Sequence, residues 1–86
     1  MHLEVMLFAQ YREIMLSGAI RLEVKDAEYL TVGELRKTIG RQYSALSPYV
    51  GSALFAVNEE IATDETQIRR GDIVAAMPPV SGGSCL

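Results

Sequence analysis

The chain has 86 residues, a formal net charge of −3 and a single cysteine. Its length suits one compact domain, because separate cores usually need on the order of 100 residues each. Its scattered basic residues form no face that could neutralise a phosphate backbone, and Cys85 and His2 lie at opposite ends of the sequence, so we expect neither a nucleic-acid partner nor a metal site. No apolar run has the length of a membrane span and the N-terminus lacks the pattern of a signal peptide, so we expect a soluble, cytoplasmic protein with no membrane partner.

Two strands joined by a wide loop are predicted for the first part of the chain. From Leu3 to Ala9 every second side chain is aliphatic, which fits a strand with one packed face and one mixed face. The residues that follow are more polar and end in Ser17-Gly18, which is a turn signal. The period of two resumes at Ile20, so we expect a second strand there and a hairpin between the two.

A helix is predicted to begin at Thr31. Thr31 and Glu34 have the spacing of a capping box, in which the hydroxyl accepts from the amide of residue 34 and the carboxylate reaches back to the cap amide. Residues at intervals of three and four then form an apolar stripe that should lie across the sheet: Val32, Leu35, Ile39 and Tyr43. The polar residues of the same segment are expected to point away from the sheet: Glu34, Arg36, Lys37 and Arg41.

The last part of the chain is predicted to complete the sheet. The apolar run Ala53–Val57 has the length of a strand, and it is followed by a turn in which Asn58 can adopt a positive φ. We expect brief strand pairing at residues 61–63, a polar crossing over residues 64–71, and a turn at Arg70-Gly71-Asp72. Ile73–Met77 is apolar on both faces, as in a central strand. The element order predicts an α+β fold with one main helix packed on one face of a mixed sheet of about five strands.

The residues after Met77 are predicted to be an arm rather than part of the core, so we divide the chain into a domain at 1–77 and a flexible tail at 78–86. Pro78 and Pro79 lack amide donors and hold the backbone extended, so the sheet must stop there. The following Val80-Ser81-Gly82-Gly83 has no charge and little bulk. Such an arm could thread a narrow channel and deliver a backbone carboxyl to a partner. The alternative is a disordered terminus, but the position of the glycines directly after a strand and a double proline favours the arm.

Matches spread over nearly the whole chain give it a family resemblance. They are Phe8-Ala9 with Arg12-Glu13, Ala56-Val57-Asn58, Gly71-Asp72, and, most specifically, Pro78-Pro79-Val80-Ser81-Gly82-Gly83. With these residues the chain resembles the small, sulfur-carrying subunits of molybdopterin synthase, which have a ubiquitin-like β-grasp fold. The sulfur carriers of the thiamine pathway share the fold and the paired glycines but not usually the Pro-Pro-Val-Ser approach, so they rank second.

The resemblance implies a sulfur-donor subunit that is not catalytic alone and holds no cofactor of its own. A ubiquitin-activating-like adenylyltransferase would use ATP to adenylate the carboxyl of Gly83, and a sulfurtransferase would convert the adenylate into a thiocarboxylate. The arm, residues Pro79, Val80, Ser81 and Gly82, would then thread into the large subunit of molybdopterin synthase, where the sulfur attacks a pterin precursor. The sheet face opposite the helix would pack on that subunit, with Phe8, Leu54 or Phe55, and Met77 as the interface candidates.

The chain departs from the simplest members of this family after the second glycine. Gly83 is followed by Ser84-Cys85-Leu86, so its carboxyl is part of an amide bond and cannot be activated. We expect a processing protease to remove these three residues. Three other functions stay open: a carrier for another sulfur pathway, a ubiquitin-like protein modifier that forms isopeptide bonds, and, if the extension is permanent, a noncatalytic binding module.

Overall fold

The structure is a computed structural model that describes residues 2–79. It contains seven strands among these residues: β1 (His2–Leu7), β2 (Ala19–Glu23), β3 (Leu30–Thr31), β4 (Leu54–Val57), β5 (Glu60–Ile61), β6 (Gln67–Ile68) and β7 (Val74–Met77). The helices are α1 (Gln10–Met15), α2 (Val32–Gln42) and α3 (Ser47–Val50), and a 3₁₀ turn at Ser44–Leu46 precedes α3. No helix within residues 2–79 is long and apolar enough to cross a membrane.

A five-stranded mixed sheet in the order β2-β1-β7-β4-β5 confirms the predicted α+β architecture. The first two strands form the predicted antiparallel hairpin, in which Val5 lies opposite Ile20. The last strand, β7, lies in the centre, parallel to β1 and antiparallel to β4. Val74 and Ala76 of β7 point into the core and are buried, whereas Ala75 and Met77 on its other face are half-buried. The predicted pairing after the Asn58 turn is the short β5, opposite Ala56 and Val57.

Helix α2 covers one face of this sheet and begins at the predicted capping box. The backbone N–H of Glu34 donates to Oγ1 of Thr31 at 3.2 Å, and the backbone N–H of Thr31 donates to Oε1 of Glu34 at 3.0 Å. Val32, Leu35 and Ile39 are buried. They meet the inward-facing side chains of the sheet in one core, which includes Val5, Leu7, Leu22, Phe55, Val57, Val74 and Ala76.

The segment between β1 and β2 differs from the predicted wide loop, because it contains α1. Tyr11 of α1 is buried in the core, and this burial offsets part of the conformational entropy that is lost when the segment becomes ordered. The helix is bracketed by two residues with positive φ, Ala9 at 53° and Leu16 at 52°. Neither is glycine, the residue that most easily adopts this backbone conformation.

The polar crossing at residues 64–71 also contains more structure than predicted. Its Gln67 and Ile68 form β6, which pairs antiparallel with β3 as a second, two-stranded sheet. The side chain of Ile68 is fully buried, so this crossing contributes to the core. The predicted turn after it is present, with Gly71 at φ 93°.

Arg36 is the one polar residue of α2 whose predicted exposure is wrong. Its side chain is 21% exposed and reaches back toward the segment before β4. Nη1 donates to the carbonyl oxygens of Val50 and Ala53 at 2.8 and 2.9 Å, and Nη2 contacts Oδ1 of Asp64 at 2.8 Å. Arginine can turn along a helix flank in this way because its apolar stem packs while its head remains hydrogen-bonded.

Candidate partner-binding site

The sheet face opposite α2, here called the open face, has a central row of side chains that is apolar across all five strands. The strand register aligns one row of side chains on it: Ala19, Met6, Ala75, Ala56 and Ile61. Side chains two residues away along each strand share the face, because successive side chains alternate between faces. The apolar neighbours are Phe8, Ile73, Met77 and Leu54, whereas Glu4 and Arg21 are charged residues of the same face. Nothing within residues 2–79 covers them as α2 covers the other face.

Large apolar side chains remain exposed on the open face. Met6 and Phe8 are each 42% exposed, Ile73 is 60% exposed and Ile61 is 68% exposed. Single exposed apolar residues are ordinary, but a contiguous group of them on one face is typical of a protein interface.

The C-terminal arm leaves the sheet at one end of the open face. Leu54 is the register partner of Met77, the last residue of β7. On the other side, the backbone N–H of Phe8 donates to the carbonyl oxygen of Ala76 at 3.2 Å. Phe8, Leu54 and Met77, three of the predicted interface residues, are therefore brought together around the point where the chain turns into Pro78 and Pro79. Leu54 and Met77 are half-buried, and Phe8 is the most exposed of the three.

Phe55, the fourth interface candidate, does not belong to this surface. It lies opposite Ala76 on the α2 side of the sheet and is 1% exposed. The guanidinium carbon of Arg36 lies 5.0 Å from the centre of its ring and helps to close it off from solvent. We therefore withdraw Phe55 as a partner contact, and of the pair Leu54 or Phe55 only Leu54 faces outward.

Sequence reasoning missed six apolar residues of the open face: Met6, Ala19, Ala56, Ile61, Ile73 and Ala75. Met6 and Ala75 lie two residues from Phe8 and Met77 on the same strands, and residues two apart on a strand share a face. The sequence could therefore have placed Met6 and Ala75 on the open face once Phe8 and Met77 were assigned to it. Ile61 and Ile73 were assigned to strand ends, where alternation over two or three residues does not define a face.

A shallow depression of about 340 Å³ lies in the open face beside the arm's exit. Its lining side chains are Met6, Phe8, Ala56, Asn58, Glu59, Ile73 and Ala75. The floor is low because Ala56 and Ala75, which are register partners, have small side chains.

Hydrogen bonds fix the rim of the depression at the β4–β5 turn. The backbone N–H of Asn58 donates to the carbonyl oxygen of Ile73 at 2.7 Å, and the N–H of Ile73 donates to Oδ1 of Asn58 at 2.9 Å. The carboxylate of Asp72 accepts from the backbone N–H of Arg69 at 2.8 Å. This backbone hydrogen bond, followed by one with the side chain of Asn58, lowers the pKa of Asp72 below its usual 3.8.

The arm itself is described only as far as Pro79, which is exposed. Val80, Ser81, Gly82 and Gly83 lie outside the described residues, as do Ser84, Cys85 and Leu86. Their predicted roles in threading and sulfur transfer therefore stay predictions.

Comparison with known proteins gives consistent relationships. The sequence model of the ThiS family matches residues 5–83. A molybdopterin synthase sulfur carrier subunit of Haemophilus influenzae is 37% identical over 81 residues, which cover 94% of this chain and 99% of that protein. The crystal structure of small archaeal modifier protein 1 of Haloferax volcanii is similar with a TM-score of 0.76 and 28% identity, over 92% of this chain and 98% of that one.

A further similar structure contains two subunits. It is a protein–protein complex of subunits 1 and 2 of the molybdopterin-converting factor of Helicobacter pylori, matched with a TM-score of 0.62 and 25% identity over 96% of this chain and 100% of that chain. These similarities confirm that the fold is the ubiquitin-like β-grasp that the sequence resemblance implied.

Proposed function

The chain belongs to the ThiS family, and from that premise we propose that it is the sulfur carrier subunit of a molybdopterin synthase. The observation that carries the proposal is the match of the ThiS family model over residues 5–83, which includes Gly82-Gly83. Molybdopterin synthase sulfur carrier subunits that are 31–37% identical to the chain support it. The exposed apolar face beside the arm supports it, because a carrier must dock before its terminus can be used.

Gly83 is proposed as the residue that carries sulfur. An oxygen of its free carboxylate attacks the α-phosphate of ATP in an activating enzyme, and pyrophosphate leaves. The terminal sulfur of a sulfurtransferase persulfide then attacks the acyl carbon and AMP leaves. A reducing thiol cleaves the resulting acyl disulfide, which releases the thiocarboxylate and leaves the thiol in a disulfide with the sulfurtransferase. Activation is required because a carboxylate is a poor electrophile until one oxygen becomes a leaving group, whereas the thioacid sulfur is a good nucleophile toward a pterin precursor.

The partner that receives the arm is proposed to be the large subunit of the synthase, bound on the open face around Phe8, Leu54 and Met77. The complex formed by the Helicobacter pylori relative supports this choice. Pro79, Val80, Ser81 and Gly82 would thread into its active site, where the absence of bulky side chains avoids collisions with the channel walls.

Processing at Gly83 is a condition of this function. Ser84 follows Gly83 in the encoded sequence, so the carboxyl that must be activated is an amide until that bond is cut. We propose that a protease removes the residues after Gly83. Intact mass spectrometry of the protein purified from its native host tests this step. A terminal Gly83 is the expected result, and a population that always retains Ser84 would contradict it.

Protein modification is the second candidate function, favoured by the similarity to a small archaeal modifier protein. A modifier forms an isopeptide bond between its terminal carboxyl and a lysine, so it would appear on larger proteins in a denaturing gel. A synthase subunit would instead co-purify with a large subunit and separate from it on denaturation. Affinity purification under native and denaturing conditions distinguishes the two, with the chain ending at Gly82 as a control that lacks the reactive residue.

A further inference from the structure

The depression of the open face combines an apolar floor with a single charge at its rim. Ala56 and Ala75 form the floor, and Met6 and Ile73 border it. Among the described residues that line it, Glu59 is the charged one. No hydrogen bond or ion pair within residues 2–79 engages this carboxylate, so it remains available to a group from outside.

The backbone holds Glu59 at the rim in a conformation that favours glycine. Val57 pairs with Glu60, so Asn58 and Glu59 form a two-residue hairpin turn. Both have positive φ, 53° and 72°, which is the pattern of a type I′ turn. Asn-Gly is the preferred sequence for such a turn, and a side chain at the second position is strained. Strain of this kind often persists where the side chain has a functional role.

This arrangement is complementary to one kind of side chain. Arginine and lysine have an aliphatic stem that packs on apolar surface and a cationic head that prefers a carboxylate. The stem would lie over the two alanines while the head reaches Glu59. A purely apolar side chain would pack on the two alanines but would leave the Glu59 carboxylate without a partner when the interface excludes water.

We infer that the depression is a socket for a basic side chain, arginine or lysine, of the protein that receives the arm. The inference rests on the proposed function, because that function requires a partner on this face. The floor of the socket lies toward the arm's exit, because Ala75 precedes Met77 by two residues on β7, about 7 Å along the strand. Glu59 lies at the far rim, in the turn whose Asn58 N–H donates to the carbonyl oxygen of Ile73. A basic anchor there would set the position of the carrier as the arm enters the channel.

The test is the affinity of the carrier for the large subunit encoded in the same genome, measured by calorimetry with the full chain and with the chain ending at Gly83. Glu59→Gln is expected to weaken binding about tenfold, as for the loss of one charge-assisted hydrogen bond. Glu59→Lys should weaken it further, because it places two cations together. Glu60→Gln is the matched control, since it removes the same charge from the neighbouring exposed residue of β5.

Glu59→Gly separates binding from folding. Glycine suits this turn position, so this variant should be at least as resistant to denaturant as the unchanged protein, yet bind as weakly as Glu59→Gln. Equal affinity of Glu59→Gln and Glu60→Gln, or tight binding by Glu59→Lys, would overturn the socket while leaving the proposed function intact. If neither form of the unchanged chain binds the large subunit, the proposed function fails, and the socket fails with it.

Discussion

Glu34 acts as an anion at the start of α2, and its charge links the stability of the fold to pH. Hydrogen bonds from the backbone N–H of Thr31, and then from its hydroxyl, lower the pKa of Glu34 below its usual 4.5. The unfolded chain therefore binds more protons than the folded chain in acid, so the free energy of unfolding rises with pH. This contribution is present above pH 4.5 and is lost as the pH falls through the folded pKa.

Glu34→Gln tests the electrostatic part of this cap, because glutamine can still accept the hydrogen bond from Thr31 but carries no charge. We expect the unchanged protein to be more stable than the variant near neutral pH, and the difference to shrink as the pH falls below 4.5 and through the lowered folded pKa of Glu34. Denaturant unfolding over this range measures it, with Glu65→Gln as a control for net charge. A difference that is the same at every pH would contradict the role of the charge.

Single residues with a local physical signature could be predicted from the sequence. The capping box at Thr31 and Glu34 and the positive φ of Asn58 are confirmed, because each depends on contacts within a few residues. Arg36 could not be assigned in this way. Its hydrogen-bond acceptors, such as the carbonyl oxygen of Val50, are distant in sequence, and only the folded chain brings them near.

At the scale of elements, Arg36 fastens α2 to the segment that leads into β4. We expect Arg36→Lys to lower the free energy of unfolding by about 2 kcal/mol, because a single ammonium cannot reach the carbonyl oxygens of Val50 and Ala53 and the Asp64 carboxylate together. Asp64→Asn should cost less than about 1 kcal/mol, since the Asp64 side chain is 65% exposed. Chemical denaturation checks both values. Equal losses for the two variants would show that the ion pair, rather than the carbonyl contacts, carries the effect.

The elements that sequence reasoning missed are short and depend on tertiary contacts. Helix α1 has six residues, and its ends at Ala9 and Leu16 lack the glycine that would signal a positive φ. Strands β3 and β6 have two residues each, too few for an alternation to be seen. The longer elements β1, β2, α2, β4 and β7 were predicted because each carries a clear hydrophobic period over four or more residues.

At the scale of the whole molecule, the fold and the arm are expected to be separable. The core lies between α2 and the inner face of the sheet, and the buried core residues that the structure describes run from Leu3 to Ala76. Deletion of residues 80–86 should therefore change the free energy of unfolding by less than about 0.5 kcal/mol, while it abolishes sulfur loading. Thermal and denaturant unfolding of the shortened chain check the first part. A shortened chain that fails to fold would contradict this division.

The choice of sheet face also belongs to this scale. In the run Ala53–Val57 apolar residues occupy both faces, so alternation could not distinguish Leu54 from Phe55. The register of β4 with β7 resolves it, because Leu54 lies opposite Met77 and Phe55 opposite Ala76. The sequence therefore predicted that an apolar interface lies beside the arm, but only the strand pairing shows which residues belong to it.

The central claim is that Gly83 carries sulfur, and the mass of a chain ending at that residue tests it most directly. This chain should be incubated with the cognate activating enzyme, ATP and a sulfur source, and then with the large subunit and pterin precursor. Because the chain then lacks Cys85, its only cysteine, added sulfur cannot lie on a cysteine side chain. We predict a mass increase equal to one sulfur in place of one oxygen, followed by its loss on transfer. An unchanged mass in the first step, or an equal increase in a chain ending at Gly82, would contradict the claim.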